Sequence, residues 1–406
     1  MNRIDFPILT QQVNNHPLVY LDNAATTQNP QQVLDAIQEA YTHWNANVHR
    51  GVHHLSQVAT QHHEDARKRV AEYLNARSEK EIIFTKGTTD SLNMLAFSFG
   101  EAFVHEGDEI VVSYLEHHSN IVPWQMLCER KHAVLRVIPL NVSDLTLDMD
   151  AFRGLLNEHT RLVSVAHVSN VLGIINPIRD IIRIAHEQGI PVCVDGAQSV
   201  PHLPIDVQEM DCDFLAFSAH KMYGPTGLGI LYGKEQWLNQ LPPAQGGGEM
   251  IDHVRFEKTT YNVLPYKFEA GTPNFIGSYV FGKAIDYVQS VGIQDIEQHE
   301  ADIVAYLEQQ LATLPNVHIY AQGQPKAGAV SFNIFHPDGH IIHPFDVGVL
   351  LDHQGVAVRT GHHCAEPLID YLKVPGTLRA SVAMYNTRED IDIFITALRR
   401  AIQMLL

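Results

Sequence analysis

The chain has 406 residues, 45% of them hydrophobic and 18% charged, an ordinary globular composition on a chain too long for one core. Its 28 basic and 46 acidic side chains give a formal net charge of −18, which excludes nucleic-acid binding as the main task. One small phosphate held by local backbone amides remains compatible with that charge. In chain order, Pro30 opens a helix whose apolar face is Val33, Ile37, Tyr41 and Trp44. Ser56 is the expected cap of a second helix running toward Leu74, with His62 and His63 on its solvent face. Residues 81–84 read as a strand, and Thr88-Thr89 opens a helix through Leu95. Short apolar strands follow at 110–113, 135–140, 162–167, 191–194 and 214–217, separated by helical patterns such as 178–187, which stops at Gly189. This alternation predicts an α/β domain with a mainly parallel sheet covered on both faces. The last third changes character, with a long charged helix at 293–314 and strands at 330–335 and 356–359. Thr387 and Asp390 form a capping-box start for a closing helix with Ile391, Phe394, Leu398, Ile402 and Leu405 on one face. The expected division is a large domain over 17–290 and a smaller α+β domain formed by 1–16 with 291–406. The run Gly246-Gly247-Gly248 marks a mobile loop or a close backbone approach.

Cys128, Cys193, Cys212 and Cys364 are widely spaced and form no CxxC pair, which points to a reducing, cytoplasmic setting. Cys193 and Cys212 fall in or beside apolar runs and read as small core residues. Met1 to Leu9 lacks the basic start and apolar run of a secretory signal, and no stretch of about 18 apolar residues is present to cross a bilayer. A soluble protein with no membrane association is expected.

Ligands of α/β sheets sit beyond the carboxyl ends of the strands, and three strand ends here carry a coherent set. One ends in Gly87-Thr88-Thr89 at a helix start, a second in Asp195-Gly196-Ala197-Gln198, and a third in Ser218-Ala219-His220-Lys221. Taken singly, these are a plain helix cap, a turn aspartate and a solvated lysine. Together they meet the needs of pyridoxal phosphate: a lysine to hold it, an acid for its pyridine nitrogen, and helix amides with hydroxyls for its phosphate.

The segments Val194–Gln198 and Ser218-Ala219-His220-Lys221-Met222-Tyr223-Gly224-Pro225-Thr226-Gly227 resemble the class V aminotransferase branch of fold-type I enzymes. Arg359-Thr360-Gly361-His362-His363-Cys364-Ala365 narrows the resemblance to the group II, SufS-type cysteine desulfurases. Further matching segments are Tyr20-Leu21-Asp22-Asn23-Ala24-Ala25, the run from Asn47 to His53, the run from Glu116 to Trp124, and Phe268-Glu269-Ala270-Gly271-Thr272-Pro273. The resemblance covers essentially the whole chain. It implies the fold-type I architecture, a large domain with a mainly parallel seven-stranded sheet plus a smaller α+β domain.

The resemblance also implies roles. Lys221 holds pyridoxal 5′-phosphate and shuttles the Cα proton, Asp195 pairs with the pyridine nitrogen, His117 stacks on the ring, and Gln198 bonds the ring oxygen. Thr88, Thr89, Ser218 and His220 hold the phosphate, with Thr272 donated by a second subunit of a homodimer. Arg379 and Asn170 hold the substrate carboxylate, with Asn23, Ala25 and Arg359 beside them; a guanidinium suits that task through two parallel hydrogen bonds. Cys364 is the nucleophile that takes sulfur from L-cysteine, and Arg359, His362 and His363 are neighbours expected to favour its thiolate. A metal site at His362-His363-Cys364 has no fourth ligand nearby in sequence, so no metal is expected. The persulfide passes to an acceptor protein for iron–sulfur cluster assembly. Phe345, in His343-Pro344-Phe345-Asp346, stands where a histidine is expected in relatives that serve a zinc-containing SufU-type acceptor, which favours a SufE-like one. The motifs leave open a selenocysteine lyase, a β-lyase or transaminase in which Cys364 is idle, and a scaffold that has lost catalysis.

Overall fold

The computed structural model describes residues 3–406; the first two residues of the segment screened for a secretory signal lie outside the described residues. Seven strands form the main sheet: β1 (Ile82–Thr85), β2 (Glu109–Ser113), β3 (Val134–Ile138), β4 (Thr160–Ala166), β5 (Val192–Asp195), β6 (Phe214–Ser218) and β7 (Gly229–Gly233). Their order across the sheet is β1-β7-β6-β5-β4-β2-β3, and β7 alone runs antiparallel to its neighbours. The mainly parallel seven-stranded α/β architecture is therefore as expected. Sequence reading had not picked out β7, whose Gly-Ile-Leu-Tyr-Gly run is short and bounded by glycines.

Alternation explains why these strands read as unbroken apolar runs. Val163, Val165, Val192, Val194, Leu215 and Phe217 pack on one face, and Leu162, Cys193, Phe214 and Ala216 pack on the other. Cys193 and Cys212 are core residues, each fully buried. Because β1, β2, β4, β5 and β6 all point the same way, their carboxyl ends gather along one sheet edge, and the loops that follow them converge there.

A second sheet orders as β8 (Val317–Ile319), β9 (Ala329–Phe335), β11 (Thr377–Ser381) and β10 (Arg359–Gly361), antiparallel throughout. The helices Ile293–Leu311 and Arg388–Leu405 cover it, the latter opened by the expected capping box of Thr387 and Asp390. The strand expected over 356–359 is split. Val356–Ala357 pairs in parallel with Val19–Tyr20, and the chain then turns so that Arg359–Gly361 pairs with β11. That pairing draws Val19 and Leu21 into the smaller apolar core, whereas Phe6 and Leu9 pack in the larger one, so the cores divide differently from the expected boundary after residue 16.

Two local expectations are corrected. The second helix, His54–Tyr73, is capped by His53, whose ring accepts from Ser56 N, while Ser56 Oγ bonds Asn47 O. His63 is fully buried rather than solvent-facing, bonded to Ser278 Oγ at 2.7 Å beside the buried Arg67–Glu269 ion pair. The helix carrying it packs against the helix Phe275–Val291, which no single-helix pattern reveals. Among the described residues no helix is long and apolar enough to cross a membrane.

The loop after β1 approaches β7 more closely than any side chain allows. A Cβ on Gly229 would lie 2.4 Å from the Cα of Gly87, the residue preceding the helix Thr88–Phe103. We predict that Gly229→Ala destabilises the fold by about 1–3 kcal/mol through overpacking. A lowered thermal midpoint together with weakened phosphate binding is the expected result, and an unchanged midpoint contradicts it.

Candidate active site

A cavity of about 240 Å³ opens where the strand ends meet β10, β11 and the loop that follows β10. Its walls carry Ala25, Thr88, Thr89, His117, Asn170, Asp195, Gln198, Ser218, His220, Lys221, Arg359, Cys364 and Arg379. Apart from Ala25, which follows the short strand Val19–Tyr20, these residues come from β1, β2, β4, β5, β6, β10 and β11 or the turns that follow them. Two expected residues are not brought here. Asn23 donates from Nδ2 to Ser381 O at 2.7 Å and to Asn386 Oδ1 at 3.1 Å, so its amide ties the amino-terminal turn to the small domain instead of facing the cavity. Thr272 is exposed and away from the cavity wall.

The phosphate end is preorganised. Ser218 Oγ accepts from Thr88 N at 2.8 Å and sits 2.7 Å from Thr88 Oγ1, joining the helix start to the end of β6. That helix presents its free first-turn amides and positive dipole end to the cavity. His220 is held by Thr26 and Thr27, whose hydroxyls both donate to its carbonyl. Burial lowers the His220 imidazole to about 4, so it is neutral.

Asp195 is 4% exposed, and among the described residues its carboxylate accepts a single hydrogen bond, from Ala197 N at 2.9 Å. Burial raises its pKa, with the Ala197 amide and Lys221 opposing. A buried carboxylate this poorly paired is costly, and a cationic N–H donor arriving in the cavity relieves it. Lys221 makes no hydrogen bond to any described residue, and burial lowers its amine to about 8, partly offset by Asp195. The pair suits pyridoxal phosphate on both counts: an amine near neutrality to hold its aldehyde carbon, and an anion for its pyridine nitrogen.

His117 takes a hydrogen bond from Ser119 N at its Nδ1, 3.1 Å away, which leaves the ring proton on Nε2. Burial, then the Lys221 charge, depresses its pKa to about 3, so the cavity sees a neutral ring face. Gln198 Nε2 donates to Ala24 O at 2.7 Å and keeps one N–H for the cavity.

At the opposite wall Arg379 is 2% exposed. Its Nη1 donates to Asn170 O at 2.7 Å, its Nη2 to Asp22 Oδ1 at 3.1 Å, and its buried Nε has no partner. Asn170 Oδ1 is likewise buried and unpaired, while its Nδ2 donates to His363 O at 2.7 Å. Unused donors on a fixed guanidinium beside an unsatisfied amide make a receptor for a small carboxylate carrying an amine.

Cys364 is exposed, and the other three cysteines are buried. It and His363 both sit in the left-handed region, with φ of 55° and 53°, after Gly361 at 109°. Non-glycine residues held there cost about 1–3 kcal/mol each and persist only where neighbours hold them. Here His118 N donates to Cys364 O at 2.7 Å and Asn170 holds His363 O. The expectation that His363 adds positive charge beside the thiol is overturned. Burial and the Arg379 charge drive its pKa down to about 2, and its Nε2 lies 2.9 Å from Thr377 Oγ1. Arg359, half-exposed, and Arg379 are the cations of this wall. Among the described residues the two places where three metal-type side chains converge, His49/His63/Glu64 and His336/Asp338/His340, are away from Cys364.

The pattern of the aminotransferase class-V family matches residues 19–394. The chain belongs to the aminotransferase class-V family. Within that family it is 52% identical to a cysteine desulfurase of Enterobacter sp. (strain 638), over 98% of this chain and 97% of that one. It is 50% identical to a cysteine desulfurase of Escherichia coli O127:H6, over 99% and 98%. Among solved structures, the cysteine desulfurase CsdA from Escherichia coli, in its S-sulfonic acid form, superposes with a TM-score of 0.91 at 39% identity, covering 100% of this chain and 98% of that one. The apo cysteine desulfurase of Thermococcus onnurineus NA1 gives 0.92 at 38%, covering 99% and 98%.

Sequence reading missed several wall residues of this class-V site. Ala166 and Val168 face the cavity but look like ordinary strand residues, and Asp22, Thr26 and Ser119 act through other residues. The turn from Glu116 to Asn120, a polar stretch after β2, was the available signal. We predict that cofactor uptake by the cofactor-free chain accelerates from pH 6 upward with a midpoint near 8, as Lys221 loses its proton. Stopped-flow absorbance measures it; a midpoint above about 10, the range of an ordinary lysine, contradicts the burial argument.

Proposed function

We propose that this cavity converts L-cysteine to L-alanine and leaves the sulfur on Cys364 as a persulfide. The chain is a pyridoxal-phosphate-dependent cysteine desulfurase, and iron–sulfur cluster assembly is a general role of its family. The observation that carries the reading of the site is the meeting of one exposed thiol with Lys221, Asp195 and Arg379 around a single cavity.

Lys221 holds the cofactor and later moves the proton at the substrate Cα. Asp195 keeps the pyridine nitrogen protonated, His117 lies against the ring face, and Gln198 donates its free N–H to the ring oxygen. Thr88, Thr89, Ser218 and His220 take the phosphate, completed by Thr272 from a second copy in a homodimer. Bound pyridoxal phosphate supplies the electron sink that makes the Cα proton removable. Arg379 and Asn170 hold the substrate carboxylate, with Ala25 and Arg359 on the same wall, so the substrate sulfur is turned toward the Cys364 loop. Cys364 Sγ attacks that sulfur: the S–S bond forms as the substrate C–S bond breaks, and the carbon keeps the electron pair and takes a proton, giving alanine.

An exposed Cys364 on a loop at the cavity mouth suits transfer onward to an acceptor. Phe345 is 61% exposed at the start of the helix Pro344–Asp352 and offers no imidazole, which supports a SufE-like acceptor over a SufU-like one. Four unpaired cysteines support a cytoplasmic location.

Two variants test these roles. Cys364→Ser is expected to keep the cofactor absorption and lose alanine formation from L-cysteine, whereas alanine at the wild-type rate means the thiol is idle. Arg379→Lys, which keeps the charge and loses the two-pronged geometry, is expected to raise the KM for cysteine ~10-fold, and an unchanged KM removes Arg379 from the substrate site.

A further inference from the structure

Glu116 is a fully buried carboxyl that the chemistry above does not use. It follows β2 and directly precedes His117. Its Oε1 meets Ser113 Oγ and accepts from Ala166 N at 3.0 Å, and its Oε2 accepts from Asn120 Nδ2 at 2.6 Å. Asn120 Oδ1 in turn accepts from Trp124 Nε1 at 2.9 Å and from Ser164 Oγ at 2.6 Å. No lysine, arginine or histidine among the described residues pairs with Glu116. Burial pushes its pKa up to about 8, with Asp195 adding to the rise and the three hydrogen bonds opposing it.

The backbone explains why a carboxyl is placed here. β2 stops at Ser113 while β4 runs on to Ala166, so Ala166 N has no strand partner on that side. A buried amide left open costs about 1–3 kcal/mol, and Glu116 closes it. Ala166 lines the cavity and stands in register with Asp195 on β5. The turn that Glu116 begins reaches the cavity twice. His117 lines it, and His118 holds the nucleophile loop, its N donating to Cys364 O at 2.7 Å and its Nε2 accepting from Glu366 N at 3.0 Å.

We propose that Glu116 is a positioning residue: it clamps the 116–120 turn to the end of β4, and so sets His117 and the Cys364 loop in register with Asp195. A generic buried polar group would need only to be satisfied. This one joins the end of β4, the strand paired with the one that carries Asp195, to the turn that carries a ring face and holds the thiol loop, whose further ties are Asn170 to His363 O and His363 to Thr377.

The isosteric Glu116→Gln tests the clamp. A glutamine has one acceptor oxygen, so it leaves either Ala166 N or Asn120 Nδ2 facing another donor while filling the same volume. Glu116→Gln/Asn120→Asp restores every pairing with donor and acceptor exchanged: the glutamine oxygen takes Ala166 N and Ser113, and the new carboxylate takes the glutamine amide, Trp124 and Ser164. In protein checked for folding by circular dichroism and for cofactor content, Glu116→Gln is expected to lower kcat ~10-fold with KM for cysteine unchanged, since Arg379 is not touched. Iodoacetamide alkylation of Cys364, the one exposed thiol, should accelerate at least ~3-fold in the cofactor-free chain as its loop is released, and amide exchange over 116–120 should quicken. The double variant is expected to recover at least half of each loss. Should Glu116→Gln not fold, Ser113→Ala removes one contact of the same carboxyl and is expected to move alkylation and exchange in the same direction by a smaller factor. A folded Glu116→Gln with wild-type turnover and alkylation overturns the proposal, as does a double variant that recovers neither. The kinetic arm rests on the desulfurase reading, but alkylation and exchange need no turnover: absence of alanine from the wild-type chain sinks that reading and leaves the clamp to be decided by the other two.

Discussion

The site depends on one carboxylate held out of water at a strand end. Asp195 terminates β5 in the middle of a sheet buried on both faces, with a single backbone amide as its hydrogen-bond donor among the described residues. A group so placed is a standing cost to the fold unless something cationic meets it. The neighbouring strand β6 brings Lys221 to the same cavity with no acceptor among the described residues and an amine lowered toward neutrality. Anion, amine and hydroxyl-lined helix start cannot satisfy one another; they are complementary to a third body with a cationic ring nitrogen, a carbonyl carbon and a phosphate. Parallel strands make this possible, because only strands running the same way bring their ends, and the loops after them, to one edge.

The second half of the site comes from the second sheet and the loops beside it, and specific hydrogen bonds join it to the first. Arg379 on β11 reaches back to Asn170 O and Asp22, Asn170 reaches forward to His363 O, and His118 holds Cys364 O. The nucleophile therefore sits on a left-handed loop pinned by residues that follow β2 and β4, rather than on either sheet. That arrangement gives a thiol that faces the cavity and also meets solvent, as a sulfur carrier requires. It also places the burden of precision on buried side chains that never touch substrate, Glu116 among them.

Much of this was legible in the sequence because strand-end motifs are written contiguously. Asp195 to Gln198 and Ser218 to Lys221 each follow an apolar run of strand length, and both land in the cavity. The alternating α/β pattern and the capping box at Thr387 were readable for the same reason, each being a local signal, whereas the seven-strand count came only with the family resemblance. What escaped depends on contacts between distant segments. His63 reads as a surface histidine until the helix Phe275–Val291 buries it. The strand expected at 356–359 divides because residues 19 and 20, more than three hundred positions away, claim its first half. Asn23 belongs to a matching motif, yet its amide is consumed by Ser381 and Asn386. The charge on His363 was misjudged because burial, not sequence neighbourhood, fixes it.

The most direct test of the central claim is to expose the cofactor-loaded protein to one equivalent of L-cysteine without reductant and to locate the added sulfur by peptide mass spectrometry. The desulfurase reading predicts one extra sulfur atom on the Cys364 peptide, released by a thiol reductant, with alanine formed in equal amount. Alanine or pyruvate formed without sulfur on Cys364, or sulfur found on a buried cysteine instead, would contradict it.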